Sequence, residues 1–107
     1  MYARCIKHTF TNEVMKQSVI NFMVQNFDLK NGMMMSFKLH LSENQTLHVG
    51  IFPDKETADQ AAELVKPVRE QITQMGVKSE VLAGPLTDFM AAGEITLDQI
   101  TQLTGKS

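Results

Sequence analysis

Tryptophan is absent, cysteine occurs once, proline occurs three times in 107 residues, and no apolar run approaches the roughly eighteen residues a membrane helix needs. With Cys5 alone, no intrachain disulfide can form, and nothing points to an oxidising compartment. Cys5 reads as a small hydrophobe on a strand, since "YARCIKH" offers only Arg4 and Lys7 to favour a thiolate. The start, "MYARCIKHTF", carries charge among its first residues and has no apolar core of a signal peptide, so a cytoplasmic protein is expected. A formal net charge of -2 supplies no general attraction to nucleic acid or anionic lipid. Phosphate-cradling glycine loops, nucleophile motifs and an aromatic stacking platform are missing; the aromatics are six Phe and one Tyr.

The remainder is that of one folded domain. Hydrophobic residues make up 43% and charged ones 21%, in a chain long enough to bury a core without metal or disulfide staples. Tyr2 to Phe10 alternates as a strand, with Tyr2, Arg4, Ile6, His8 and Phe10 on one face. At "TNEV" the period changes. Thr11 is the expected cap of a helix carrying Met15, Val19, Phe22 and Met23 at helical spacing, stopped by Asn31-Gly32. Met33 to Leu41 and Thr46 to Phe52 are the next strands, joined through "SENQT". Keeping Phe37, Leu39 and Leu41 on one face with Leu47, Val49 and Ile51 requires an odd loop. Three residues, Glu43 to Gln45, would pair Leu41 with Leu47 and set His40 opposite His48.

Asp54 caps a second helix with an apolar seam of Ala58, Ala61, Val65, Val68, Ile72 and Met75, kinked by Pro67 and ended by Gly76. Val77 to Ala83 is a fourth strand closed by Gly84-Pro85. Leu86, Phe89 and Met90 form an arm. Thr96 with Gln99 as a capping box, and Ile95 with Ile100 as a staple, predict a short helix from about Leu97 to Thr104. The order βαββαβ predicts an α+β, ferredoxin-like antiparallel sheet with both helices on one face, a domain over 1–85 and a C-terminal arm over 86–107.

The stretches "MYARCIKHTF", "NGMMMSFKL", "TLHVGIFPDKETADQAAE" and "VKSEVLAGP" resemble small members of the dimeric α/β-barrel superfamily, near the antibiotic-biosynthesis-monooxygenase-like and stress-responsive barrel families. The likeness spans about Met1 to Pro85. It implies a homodimer whose two sheets close into a barrel around a lumen. Haem-degrading members use an Asn, a Trp and a His, but Trp is absent here and the second helix has no His. Cofactor-independent members oxidise aromatic, quinol-like substrates without a bound metal or cofactor.

If Met33, Met35, Phe37, Leu39, Leu47, Val49 and Ile51 cover the helices, the opposite face carries Arg4, Ile6, His8, Met34, Ser36, Lys38, His40, His48, Phe52, Lys78, Glu80 and Leu82. All three histidines fall there. On that assignment Arg4, His8, Met34, Lys38, His40, His48, Phe52 and Glu80 line the lumen. A histidine could then serve as base, with Arg4 or Lys38 holding an oxyanion. Three imidazoles could also hold a zinc ion, but no His-x-His or His-Glu-x-x-His spacing supports one and no metal is expected. The plainer alternative is a set of interface hydrogen bonds and ion pairs, such as Lys38 or Arg4 with Glu80. Three readings stay open: a cofactor-independent monooxygenase, a non-catalytic module binding a small hydrophobic or aromatic molecule, and a purely structural dimer.

Overall fold

The computed structural model describes residues 1–90, 92 and 93. The elements are β1 (Tyr2–Thr9), α1 (Glu13–Asn26), β2 (Met35–Ser42), β3 (Gln45–Phe52), α2 (Lys55–Gln74) and β4 (Lys78–Pro85). All neighbouring strands are antiparallel, in the order β2-β3-β1-β4, and both helices pack on one face. This is the ferredoxin-like α+β arrangement that the order of elements predicts. The predicted helix over 97–104 lies outside the described residues. Of the arm, the Leu86 backbone N–H donates to the Met1 carbonyl at 2.9 Å, while Phe89 and Met90 are exposed.

Local signals set the helix starts. Asn12, not Thr11, caps α1, its side chain accepting from the Met15 N–H at 2.8 Å, and Asp54 does the same for Thr57 at 2.8 Å. Helix α2 runs through Pro67, whose missing donor falls on the exposed side. The core is in two parts. Phe10, Val19, Met23, Ile72 and Val77 meet at one end of the sheet, and Phe52, Ala58 and Ala61 at the other, with Tyr2 and Met33 against them.

Two expectations are corrected. The β2–β3 turn holds two residues, Glu43 and Asn44, with an irregularity between His40 and Ser42 that absorbs one residue. Leu39 therefore pairs with Leu47 and Phe37 with Val49, while His40 pairs with Thr46 and Lys38 with His48. His40 and His48 are not opposite each other. The second correction concerns the faces. The helices cover the polar face, with Arg4, Ile6, His8, Thr46, His48 and Phe52, and the outer face carries Met35, Phe37, Leu39, Leu47 and Val49. The apolar count points the other way, but beneath the helices Lys16 has partners in His40 and the Ser42 carbonyl, Lys38 in Asp28 and His48 in Ser36, so burying these three costs less than their charge and polarity suggest.

A sharp loop joins α1 to β2. Leu29, Asn31 and Gly32 have φ of 58°, 57° and 88°, the left-handed region that a leucine seldom adopts. A Cβ on Gly32 would overlap Thr57 Cγ2. Gly32→Ala should therefore destabilise the fold by roughly 2–4 kcal/mol, combining the left-handed penalty with the clash. Adding Thr57→Ser, which deletes the clashing methyl, should restore part of the loss in urea unfolding; no recovery would leave the backbone as the whole cause.

Candidate functional site

A cleft opens between the helices and the covered face of the sheet, within one chain. Its apolar walls are Ile6, Met23, Phe27, Met33, Phe52 and Val65, and its polar groups are Arg4, Lys30, Asn31, His48 and Arg69. It is narrow and half enclosed: its free volume is about 50 Å³, and the roughly 530 Å³ of space around it includes open solvent at the mouth. Small residues make the room. Ala61 and Ala62 on α2 form part of the roof and Gly50 part of the floor, where a Cβ would sit 3.0 Å from Met33 Cε and 3.3 Å from Phe52 Cε2. Met23 and Met33 give the walls flexible, polarizable side chains.

His48 is the titratable group of the floor, buried to 9% exposure. Its Nε2 lies 3.1 Å from the Ser36 hydroxyl and 3.6 Å from Asp28 Oδ1. Asp28 binds the Lys38 ammonium through Oδ2, whereas its Oδ1 is buried without a hydrogen bond. The Ser36 hydroxyl can donate to Nε2 or accept from it, and no hydrogen bond reaches Nδ1 among the described residues; a proton on Nε2 leaves the Nδ1 lone pair free. Burial holds the His48 imidazolium below its ordinary range and the Lys38 ammonium pushes the same way, against the pull of Asp28. The ring is therefore held toward its neutral form.

His8 and Lys38 sit behind this wall, in a small recess that shares Met23 and His48 with the cleft. His8 is pushed down to about 4, first by burial and then by neighbouring His48. His40 is farther along the same face, where buried Lys16 donates to its Nδ1 at 2.5 Å and to the Ser42 carbonyl at 3.0 Å.

Of the residues expected at a site, Arg4, His48 and Phe52 line the cleft and His8 and Lys38 back it. His40 is engaged elsewhere, and Met34 is 49% exposed outside the cleft. Glu80 sits on the outer face opposite Lys7, so the expected pairing of Lys38 or Arg4 with Glu80 is replaced by Lys38 with Asp28. The cleft is also not a lumen between two sheets, because the polar face is turned toward the helices. Among the described residues no group of three or more His, Cys, Asp or Glu could hold a metal ion.

Asp28, Lys30, Met33 and Arg69 were not foreseen. An acid just past a helix C-terminus opposes the dipole, which signals that Asp28 answers a cation elsewhere. Arg69 flanks the α2 seam, four residues from Val65 and three from Ile72.

No family model matches the sequence, and no curated protein matches it. Solved structures do share the fold. A candidate antibiotic biosynthesis monooxygenase from Deinococcus radiodurans superposes with a TM-score of 0.73 at 8% identity, covering 87% of this chain and 99% of its own. SnoaB, a cofactor-independent oxygenase from Streptomyces nogalater, gives 0.66 at 12% identity, over 83% and 95%. A dimeric ferredoxin-like protein from an uncultured marine organism gives 0.62 at 12%, over 84% and 98%. The chain thus shares the ferredoxin-like α+β fold of these proteins.

The depressed value of His8 makes stability depend on pH. The unfolded state takes up a proton near 6.5 and the folded state only near 4, so stability is full above about pH 6.5 and falls as pH drops toward 4. The loss attributable to His8 is on the order of 3 kcal/mol, at about 1.4 kcal/mol per pH unit. Urea midpoints between pH 7.5 and 4 should fall less steeply in His8→Gln than in the wild type. An unchanged slope would remove His8 as the cause.

Proposed function

We propose that this chain is the protomer of a homodimer that binds a small, largely apolar aromatic molecule in the cleft between helices and sheet, and oxidises it with molecular oxygen without a cofactor. The observation that supports this most is the neutral, buried His48 in an otherwise apolar wall, beside Arg4 and backed by Asp28. Deprotonating a phenol or enol gives an electron-rich aromatic anion, which can pass an electron to O₂ directly. For a hydroxyanthrone, recombination with the superoxide formed places one oxygen atom on the ring carbon, two hydrogens leave that carbon, and the second oxygen departs as water. His48 Nδ1 is the acceptor of the first proton, and Arg4 holds the developing oxyanion. The fold shared with a cofactor-independent oxygenase is compatible with this chemistry.

Oxygen uptake with a hydroxyanthrone, monitored with an electrode, tests the reading. The wild type should consume O₂ and form the quinone, and His48→Gln should lose roughly 10²-fold or more in kcat. Saturable binding without oxygen uptake would favour the non-catalytic module instead. Absence of both would leave the structural dimer.

The dimer rests on the outer face. Phe37, Leu39, Leu41 and Leu82 are 44%, 45%, 46% and 58% exposed, beside Met35, Leu47 and Val49 on the same sheet surface. A contiguous apolar patch of this kind marks an interaction surface. Two such sheets facing each other would close it, as the dimeric neighbour suggests. Sedimentation equilibrium at micromolar concentration should give a dimer for the wild type and a folded monomer for Leu39→Glu. A wild-type monomer would end the barrel arrangement.

A further inference from the structure

Among the described residues three cations face the cleft and no acid does. Arg4 comes from the floor strand, Lys30 from the loop after α1 and Arg69 from the roof helix, so the cluster is convergent and not a periodic stripe on one element. Neither arginine has an acid within reach of its own element. Arg4 stands between Gly50 and Ala83 in the sheet, with His48, Phe52, Val81 and Pro85 on the diagonals. On α2, Arg69 has Val65, Lys66, Ile72 and Thr73 at the three- and four-residue spacings. Lys30 donates to the Gln25 carbonyl at 2.7 Å, which fixes the ammonium at the rim and satisfies one of its three donors. Asp28 cannot neutralise the cluster, because its carboxylate is turned to Lys38 and His48. Neither Arg4 nor Arg69 forms an ion pair among the described residues.

An apolar, half-enclosed cleft concentrates the field of unpaired cations, and two guanidinium groups supply forked donors suited to an oxyanion. We infer that the cleft selects an amphipathic anion, a small aromatic or alkyl body carrying one carboxylate or ionised phenol, held by Arg4 and Arg69 with Lys30 at the rim. This rests on the reading of the cleft as a ligand site and adds the charge class of the ligand. The body lies against Phe27, Met33, Phe52 and Val65, with the head group toward the cations. Neutral aromatics of the same shape leave three like charges uncompensated and bind more weakly.

The test compares 2-naphthoate with 2-naphthamide, near-isosteres that differ in charge, at pH 7.5 by calorimetry and by methyl NMR of methionine-labelled protein. Met23 and Met33 report from inside the cleft and Met35 from the outer face. The expected result is naphthoate binding at least tenfold tighter than naphthamide, shifts at Met23 and Met33 and not at Met35, and weakening by added salt. In Arg4→Gln/Arg69→Gln the preference should fall to near unity, and Arg4→Lys/Arg69→Lys should retain most of it. Equal affinities of the two probes for the wild type, with Met23 and Met33 shifted, would overturn the anion inference and leave the cleft as a ligand site. No shift at Met23 or Met33 with either probe would overturn the cleft reading itself. Both of those outcomes are read on the unmodified protein, so neither depends on a variant folding.

Discussion

The placement of one carboxylate organises the polar half of this molecule. Asp28 is the only acidic side chain among the described residues that is not exposed, and it lies beneath the helices between Lys38 and His48. A lysine and an imidazole on adjacent strands could not be buried side by side without it, since each would lose hydration for no return. The loop from Asp28 to Gly32 accepts three left-handed residues, Leu29, Asn31 and Gly32, in the course of placing that carboxylate inward while Lys30 and Asn31 reach the rim of the cleft. Backbone strain, the ion pair and the shape of the cleft are thus parts of one arrangement.

Much of the fold was legible because its signals are local. Alternation in "YARCIKHTF", the Asp54 cap, the α2 seam from Ala58 to Ile72 and the Gly76 stop each report on a few neighbouring residues, and together they order the elements. The shared face of Arg4, His8, Lys38, His40 and His48 was legible too, since parity along a strand survives a two-residue slip. Which side that face would turn was not. A strand's pattern separates two surfaces but does not say which one a helix will cover, and Phe37, Leu39, Leu47 and Val49 look like core whether a helix or another molecule lies on them. The pairing partner of Lys38 was hidden for a different reason: Asp28 is ten residues away, across a turn whose path depends on backbone angles that no side-chain pattern encodes.

The cleft and the outer face divide the labour of the sheet. Large side chains fill the outer surface, while beneath the helices Gly50, Ala61 and Ala62 leave space and His48, Arg4 and Arg69 line it. An enclosed space with few polar groups makes each of those groups count for more than it would in water. Lys16, fully buried and tied to His40 and the Ser42 carbonyl, closes the far end of the same polar row.

Strand β1 carries Arg4 on one side, with Ala3 and Cys5 beside it on the other. A single layer of backbone thus separates the cleft from the outer apolar surface. Any shift of the β1 backbone therefore moves both surfaces at once, and a substitution at Ala3 or Cys5 is felt beside Arg4 in the cleft as well as on the apolar side.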